Sequence, residues 1–136
     1  MASVAVLALG AFVVAARPAQ SELSRTELAA RGKVTYRVYC RSCHGTEGHG
    51  DGSLAPLLKV AVPELTTLSR QAGGEFPEER VLAFIDGREE VAAHGPREMP
   101  VWGDALGSAD DEDGREEGEV QRKIRELVAH LASIQE

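Results

Sequence analysis

Aromatic residues are scarce in this chain, with one Trp, two Tyr and three Phe among 136 residues. A core built from so few large rings would be thin, and a large apolar cofactor would be a useful filler. A basic excess is missing as well. The formal net charge is -7, which argues against nucleic acid as a partner, because phosphate binding needs a basic surface. No stretch alternates with the two-residue period of a strand, and no internal repeat is present. Cysteine is limited to two residues and methionine to two. That rules out a disulfide-dense scaffold and a four-cysteine zinc site. The length suits one compact domain and hardly more.

Residues 2–16 carry no charge and are mostly Ala, Val and Leu, and Arg17-Pro18 ends the run. As a helix, these fifteen residues would span roughly 22 Å at about 1.5 Å per residue, short of the roughly 30 Å of a bilayer core. Residues 1–19 therefore read as an export signal cleaved near Ala16 or Ala19. No Lys or Arg precedes the apolar run, so an uncleaved anchor is the alternative. Residues 20–136 form the remaining domain.

Within that domain the pattern is helical. Ser24-Arg25-Thr26-Glu27 fits a capping box, and Leu28, Gly32 or Val34, Tyr36 and Tyr39 give a rough apolar face leading up to Cys40. Residues 45–52 are glycine-rich and polar, hence a loop. A short helix is expected over residues 66–71, broken by Gly73-Gly74. Pro77 suits the first turn of a helix running to Asp86, with Val81, Leu82, Phe84 and Ile85 on its buried side and Gly87 at its end. Residues 88–101 read as a loop. Residues 104–119 hold eight carboxylates against the single Arg115, a composition that predicts a solvated acidic loop. Residues 120–134 form a clear amphipathic helix, with Ile124, Leu127, Val128, Leu131 and Ile134 on one face. The fold class is all-α.

Both cysteines lie in Cys40-Arg41-Ser42-Cys43-His44. A Cys-x-x-Cys-His run attaches haem because each thiol adds across one vinyl group of the porphyrin, and the next residue is brought under the iron. His44 then offers a neutral imidazole to one axial position. The competing readings are weaker. A structural zinc site needs four ligands, and His49, His94 and His130 are scattered. A thioredoxin-like redox pair needs a strand ahead of the motif. For the second axial position the loop His94-Gly95-Pro96-Arg97-Glu98-Met99-Pro100-Val101-Trp102 offers Met99, the only methionine besides Met1. Pro100 would stiffen the loop and hold the thioether's aim. His94 is the rival, and an ordinary half-buried Met is the plain alternative.

These residues resemble the class I cytochromes c, small mono-haem proteins with a His/Met iron, over about residues 24–136. Gly32 and Tyr36 stand eight and four residues before Cys40, where that family keeps a glycine and an aromatic so that its first and last helices cross closely. The resemblance implies a haem c bonded to Cys40 and Cys43, with iron between His44 and Met99. It further implies that the Pro56 carbonyl accepts a hydrogen bond from the His44 Nδ1, and that Leu58 packs on the haem face. Met99-Pro100-Val101-Trp102-Gly103 looks like the Met-ligand loop of many bacterial members. By the same analogy Trp102, with Arg97 or Arg88, holds the propionates, and Val62 and Leu65 line the pocket. One departure is His130, which stands where the family usually has an aromatic in the helix crossing.

A His/Met iron has both axial positions filled, so it moves an electron and hardly binds a substrate. The expectation is a periplasmic electron carrier, not an enzyme. Its redox partners would be a donor dehydrogenase or quinol-oxidising complex and an acceptor oxidase or reductase. A membrane-held cytochrome subunit of a respiratory or dehydrogenase complex is the alternative, contacting the membrane only if the leader is uncleaved. A haem sensor or peroxidase with an open sixth site is a further class. The acidic loop either adds charge or guides the protein toward a basic face on a redox partner.

Overall fold

The structure, a computed structural model, describes residues 23–88, 99–107 and 115–136. The expected leader, His94 and Arg97 lie outside the described residues. Among the described residues there are helices and no strands, and no helix is long and apolar enough to cross a membrane. The fold is all-α.

Helix α1, Arg25–Tyr39, begins at the expected capping box. The Glu27 N–H donates to Ser24 Oγ at 3.3 Å, and the Ser24 N–H donates to the Glu27 carboxylate at 2.8 Å. These bonds satisfy two donors that the first helical turn cannot pair internally. Helix α2, Arg41–His44, follows after Cys40 alone. A 3₁₀ turn at Ala55–Leu57 precedes the short α3, Leu68–Gln71, and α4, Glu78–Asp86. Gly87 closes α4 with φ 70°, the left-handed conformation that lets its N–H bond back to Ala83. Helix α5 is Trp102–Ala105, and α6, Arg115–Ser133, completes the chain.

The core is the crossing of α1 and α6, with α4 and α5 packed against α6. Val120, Ile124, Leu127, Val128 and Leu131 are buried along one side of α6. Gly32 makes the crossing possible. A Cβ there would collide with the Glu126 carbonyl and lie 2.9 Å from the Leu127 nitrogen, so only a hydrogen fits between the two backbones. One turn on, Tyr36 is 1% exposed, and its ring meets His130 edge-on at 5.2 Å. Glu126 is buried beside the crossing and is paired with Arg122 at 2.8 Å and Arg31 at 3.7 Å.

Three expectations are corrected. The acidic stretch is not loop throughout residues 104–119: α5 takes up Asp104 and Ala105, Leu106 is buried in the core, and α6 already starts at Arg115. Apolar contact on Leu106 and the pairing of Glu117 with Arg88 outweigh the local charge. Residues 108–114 lie outside the described residues. Phe84 is not on the buried side of α4 but is 43% exposed, because Ile85 faces the core. The short helix starts at Leu68, not at Thr66.

Candidate functional site

The cysteine motif rides on one helical turn. Cys43 and His44 N–H groups donate to the Cys40 carbonyl at 3.2 and 3.0 Å, and the Gly45 N–H donates to Arg41 at 2.9 Å. Both cysteines are free thiols, half-buried. Burial pushes the Cys40 thiol up to about 12, with the neighbouring Cys43 adding to the rise. The nucleophilic thiol of a redox pair needs the opposite shift. Tyr36 then anchors the far end of the motif, its hydroxyl donating to the Gly45 carbonyl at 2.7 Å. Burial raises that phenol well above its ordinary value.

His44 is half-buried, and its Nδ1 lies 3.3 Å from the Pro63 carbonyl oxygen. Desolvation lowers its pKa, and the Pro63 hydrogen bond opposes that only partly, so the imidazole is neutral at pH 7. The expected acceptor was Pro56. Counting twelve residues from His44 assumes a short return, and this chain does not make one. The Gly52 and Leu54 N–H groups donate to Cys43 and Ser42 at 3.1 and 2.8 Å, which folds residues 52–54 back onto α2 and leaves Pro56 exposed in the 3₁₀ turn. A longer segment then passes under Gly50. Gly50 has φ 77°, a Cβ there would lie 2.6 Å from the Val62 carbonyl, and the Leu65 N–H donates to Gly48 at 2.6 Å. That crossing delivers the Pro63 carbonyl. The residue type expected, a proline, is the one found, and what the spacing missed is the longer path that brings Pro63 and not Pro56 to the imidazole.

Met99 is half-buried against the core together with Trp102, Leu65, Phe76, Val81 and Leu82. Trp102 opens α5, and its ring stands edge-on to Tyr39 at 5.6 Å, next to Cys40. Val62 is half-buried, while Leu58 is exposed. Arg88 does not reach for a free anion. Its guanidinium forks onto Asp86 at 2.6 and 2.9 Å and onto Glu117 at 2.6 and 2.9 Å, and Gln121 adds a bond to Asp86 at 2.6 Å. Arg88 thereby holds the Asp86 carboxyl down at about 2. This network, and the Gln135 amide that bonds Leu65, Leu131 and Ser69, were missed from the sequence. Both join segments more than 25 residues apart, out of reach of any local pattern.

The residues present fit a haem. Two unpaired thiols sit one helical turn apart and the adjacent imidazole has a free Nε2. Leu54, Leu57, Leu58 and Val60 following the motif, and Phe84 on α4, are large apolar side chains left exposed to water. Among the described residues no group of three or more His, Cys, Asp or Glu is placed to hold a metal ion on its own. An N-terminal helix that ends in Cys-x-x-Cys-His and crosses a C-terminal helix over a glycine defines a c-type cytochrome of class I. The family model for cytochrome C oxidase, cbb3-type, subunit III matches residues 27–114, and the chain belongs to that family. No curated protein and no solved structure matches the chain. The cofactor of such a domain is haem c, and Cys40 and Cys43 are the two cysteines that bond it. The role of a domain of this kind is electron transfer.

Proposed function

We propose that the protein carries one electron at a time in the periplasm, its haem iron held by His44 Nε2 and the Met99 sulfur. The observation that carries this reading is the 3.3 Å contact between His44 Nδ1 and the Pro63 carbonyl. A carbonyl only accepts, so Nδ1 must hold the proton and donate. Nε2 is then left with its lone pair, the tautomer an iron ligand needs, and the hydrogen bond orients the ring and raises its basicity. When bound, the haem supplies a one-electron iron couple. The chain's own residues do the rest. Cys40 and Cys43 hold the ring, Met99 is carried on a segment pinned by Trp102, and a thioether ligand favours the reduced state. With His44 and Met99 both holding the iron, no position would be left for a small molecule, which is why the reading is a carrier and not an enzyme.

A second reading has the same chemistry in a fixed place, as a cytochrome subunit of a membrane-held oxidase complex. The description of the matching family favours it. Fractionation separates the two, because a carrier leaves with the periplasm and a subunit stays with the membranes.

Visible spectra of the purified holoprotein test the ligation. His/Met ligation is expected to show haem c bands, a sulfur-to-iron band at the red end of the oxidised spectrum, and no carbon monoxide binding to the reduced protein over minutes. Rapid carbon monoxide binding with no sulfur band would replace the carrier with a sensor or peroxidase.

A further inference from the structure

The outward side of α1, continued by Arg41 at the start of α2, carries two parallel rows of exposed side chains. Lys33, Arg37 and Arg41, each four residues apart, form one row, and all three are exposed. None of them makes an ion pair among the described residues. Beside that row run Val34 and Val38, 65% and 63% exposed and one helical turn apart. Arg31 flanks the valines on the other side, tethered to Glu126. Over residues 25–41 the chain places five Arg or Lys against the single carboxylate Glu27, which is occupied in its cap. This is a local reversal of sign in a chain whose net charge is -7. The ribbon leads to Cys40: Arg37, Val38 and Arg41 lie within one helical turn of the covalent link to the haem, and Lys33 and Val34 within about two.

We propose that this ribbon is the docking face for an acidic redox protein, which sets an apolar centre on Val34 and Val38 and carboxylates on Lys33, Arg37 and Arg41. The inference rests on the electron-transfer reading and names the chemistry of its partner. Charge complementarity selects the occupant. A neutral or basic protein gains nothing from the cationic row, whereas an acidic one is turned toward it and away from the Glu78 and Glu79 carboxylates in the first turn of α4. In the docked pair one electron passes from the reduced protein to the acceptor, with no bond broken and no proton moved.

Stopped-flow oxidation of the reduced holoprotein tests this, with two acceptors: the solubilised terminal oxidase of the source cells and hexacyanoferrate(III). At low salt K33E/R37E is expected to slow the oxidase reaction about tenfold or more, the scale of electrostatic steering, with spectrum and reduction potential unchanged. V34S/V38S is expected to slow the oxidase severalfold but leave hexacyanoferrate, which needs no apolar contact, within twofold of wild type. E78K/E79K, which alters charge by the same amount on α4, is expected to stay within about threefold of wild type with the oxidase. Unchanged oxidase rates in both α1 variants, or a fall confined to E78K/E79K, overturn the docking face while leaving the carrier intact. Self-association of the wild type abolished by V34S/V38S overturns the acidic partner in favour of a second copy. A wild type that passes no electron to either acceptor overturns the functional reading, and the docking face with it.

Discussion

The Trp102 ring meets the Tyr39 ring edge-on, centroids 5.6 Å apart and planes at 61°. Trp102 stands three residues after Met99, and Tyr39 stands immediately before Cys40. One aromatic contact therefore ties the segment carrying the expected sulfur ligand to the helix carrying the haem link. Trp102→Ala removes a pair worth about 1 kcal/mol beyond its buried area. The expected outcome is a lower thermal midpoint together with a weaker sulfur-to-iron band and measurable carbon monoxide binding. A variant that loses stability but keeps the full band would reduce the contact to packing.

Met99→Ala removes the thioether outright. Carbon monoxide should then bind the reduced protein rapidly and the sulfur band should vanish. The reduction potential should fall by a sizeable part of the roughly 0.8 V range over which axial ligands set haem potentials. Spectroelectrochemical titration measures the shift, and an unchanged potential would remove Met99 from the iron.

Gly32→Ala pits two effects against each other. Alanine gains about 1 kcal/mol of helix propensity over glycine. Its methyl, however, would occupy the place of the Glu126 carbonyl, and overpacking costs typically 1–3 kcal/mol, more where the obstacle is backbone. A net loss of about 2 kcal/mol is expected in denaturant titration of the holoprotein. A neutral result would mean that α1 and α6 are further apart than described.

His130 gives the crossing a pH dependence. The ring is 5% exposed, and burial, with Lys33 and Arg37 nearby, lowers its pKa, Glu47 opposing them only in part. Above the ordinary value near 6.5 the residue is neutral folded or unfolded and contributes no slope. As pH falls through 6.5 the unfolded chain takes up a proton before the folded one does, so stability is lost until the lowered folded pKa is reached. Thermal melts from pH 8 to 5 should show this loss, and His130→Tyr should remove it and raise the midpoint. A midpoint unchanged or lower in His130→Tyr would refute the view that the imidazole weakens the crossing.

Arg88→Ala takes the guanidinium from Asp86 and Glu117 and leaves Gln121 bonded to Asp86. With Arg88 present, the stabilisation from Asp86 is complete above its ordinary value of 3.8 and is lost as pH falls through about 2. The variant should lose that acid-side transition and melt lower at pH 7. Both effects should be read in melts at low and high salt, since the bonds to Glu117 are partly exposed.

Much of this protein was legible in its residues because the relevant physics is local. Thioether attachment needs two thiols and an imidazole within five positions, and Cys40 to His44 state that without reference to the fold. The capping box at Ser24 and the apolar face of α6 are likewise matters of three- and four-residue spacing; α1 starts at that box, while α6 begins at Arg115, five residues ahead of the expected Val120. Gly32 and Tyr36 could be placed in the crossing by the resemblance to the class I cytochromes c, which keep a glycine and an aromatic at those distances from the first cysteine. What the tertiary structure alone decided was which distant atoms close on these local pieces. The His44 acceptor is Pro63 instead of Pro56, because loop closure under Gly50 depends on the path of the backbone and not on residue type. Arg88 is turned toward Asp86 and Glu117, and Leu106 is drawn into the core from an acidic stretch, because partners far along the chain outbid the local composition.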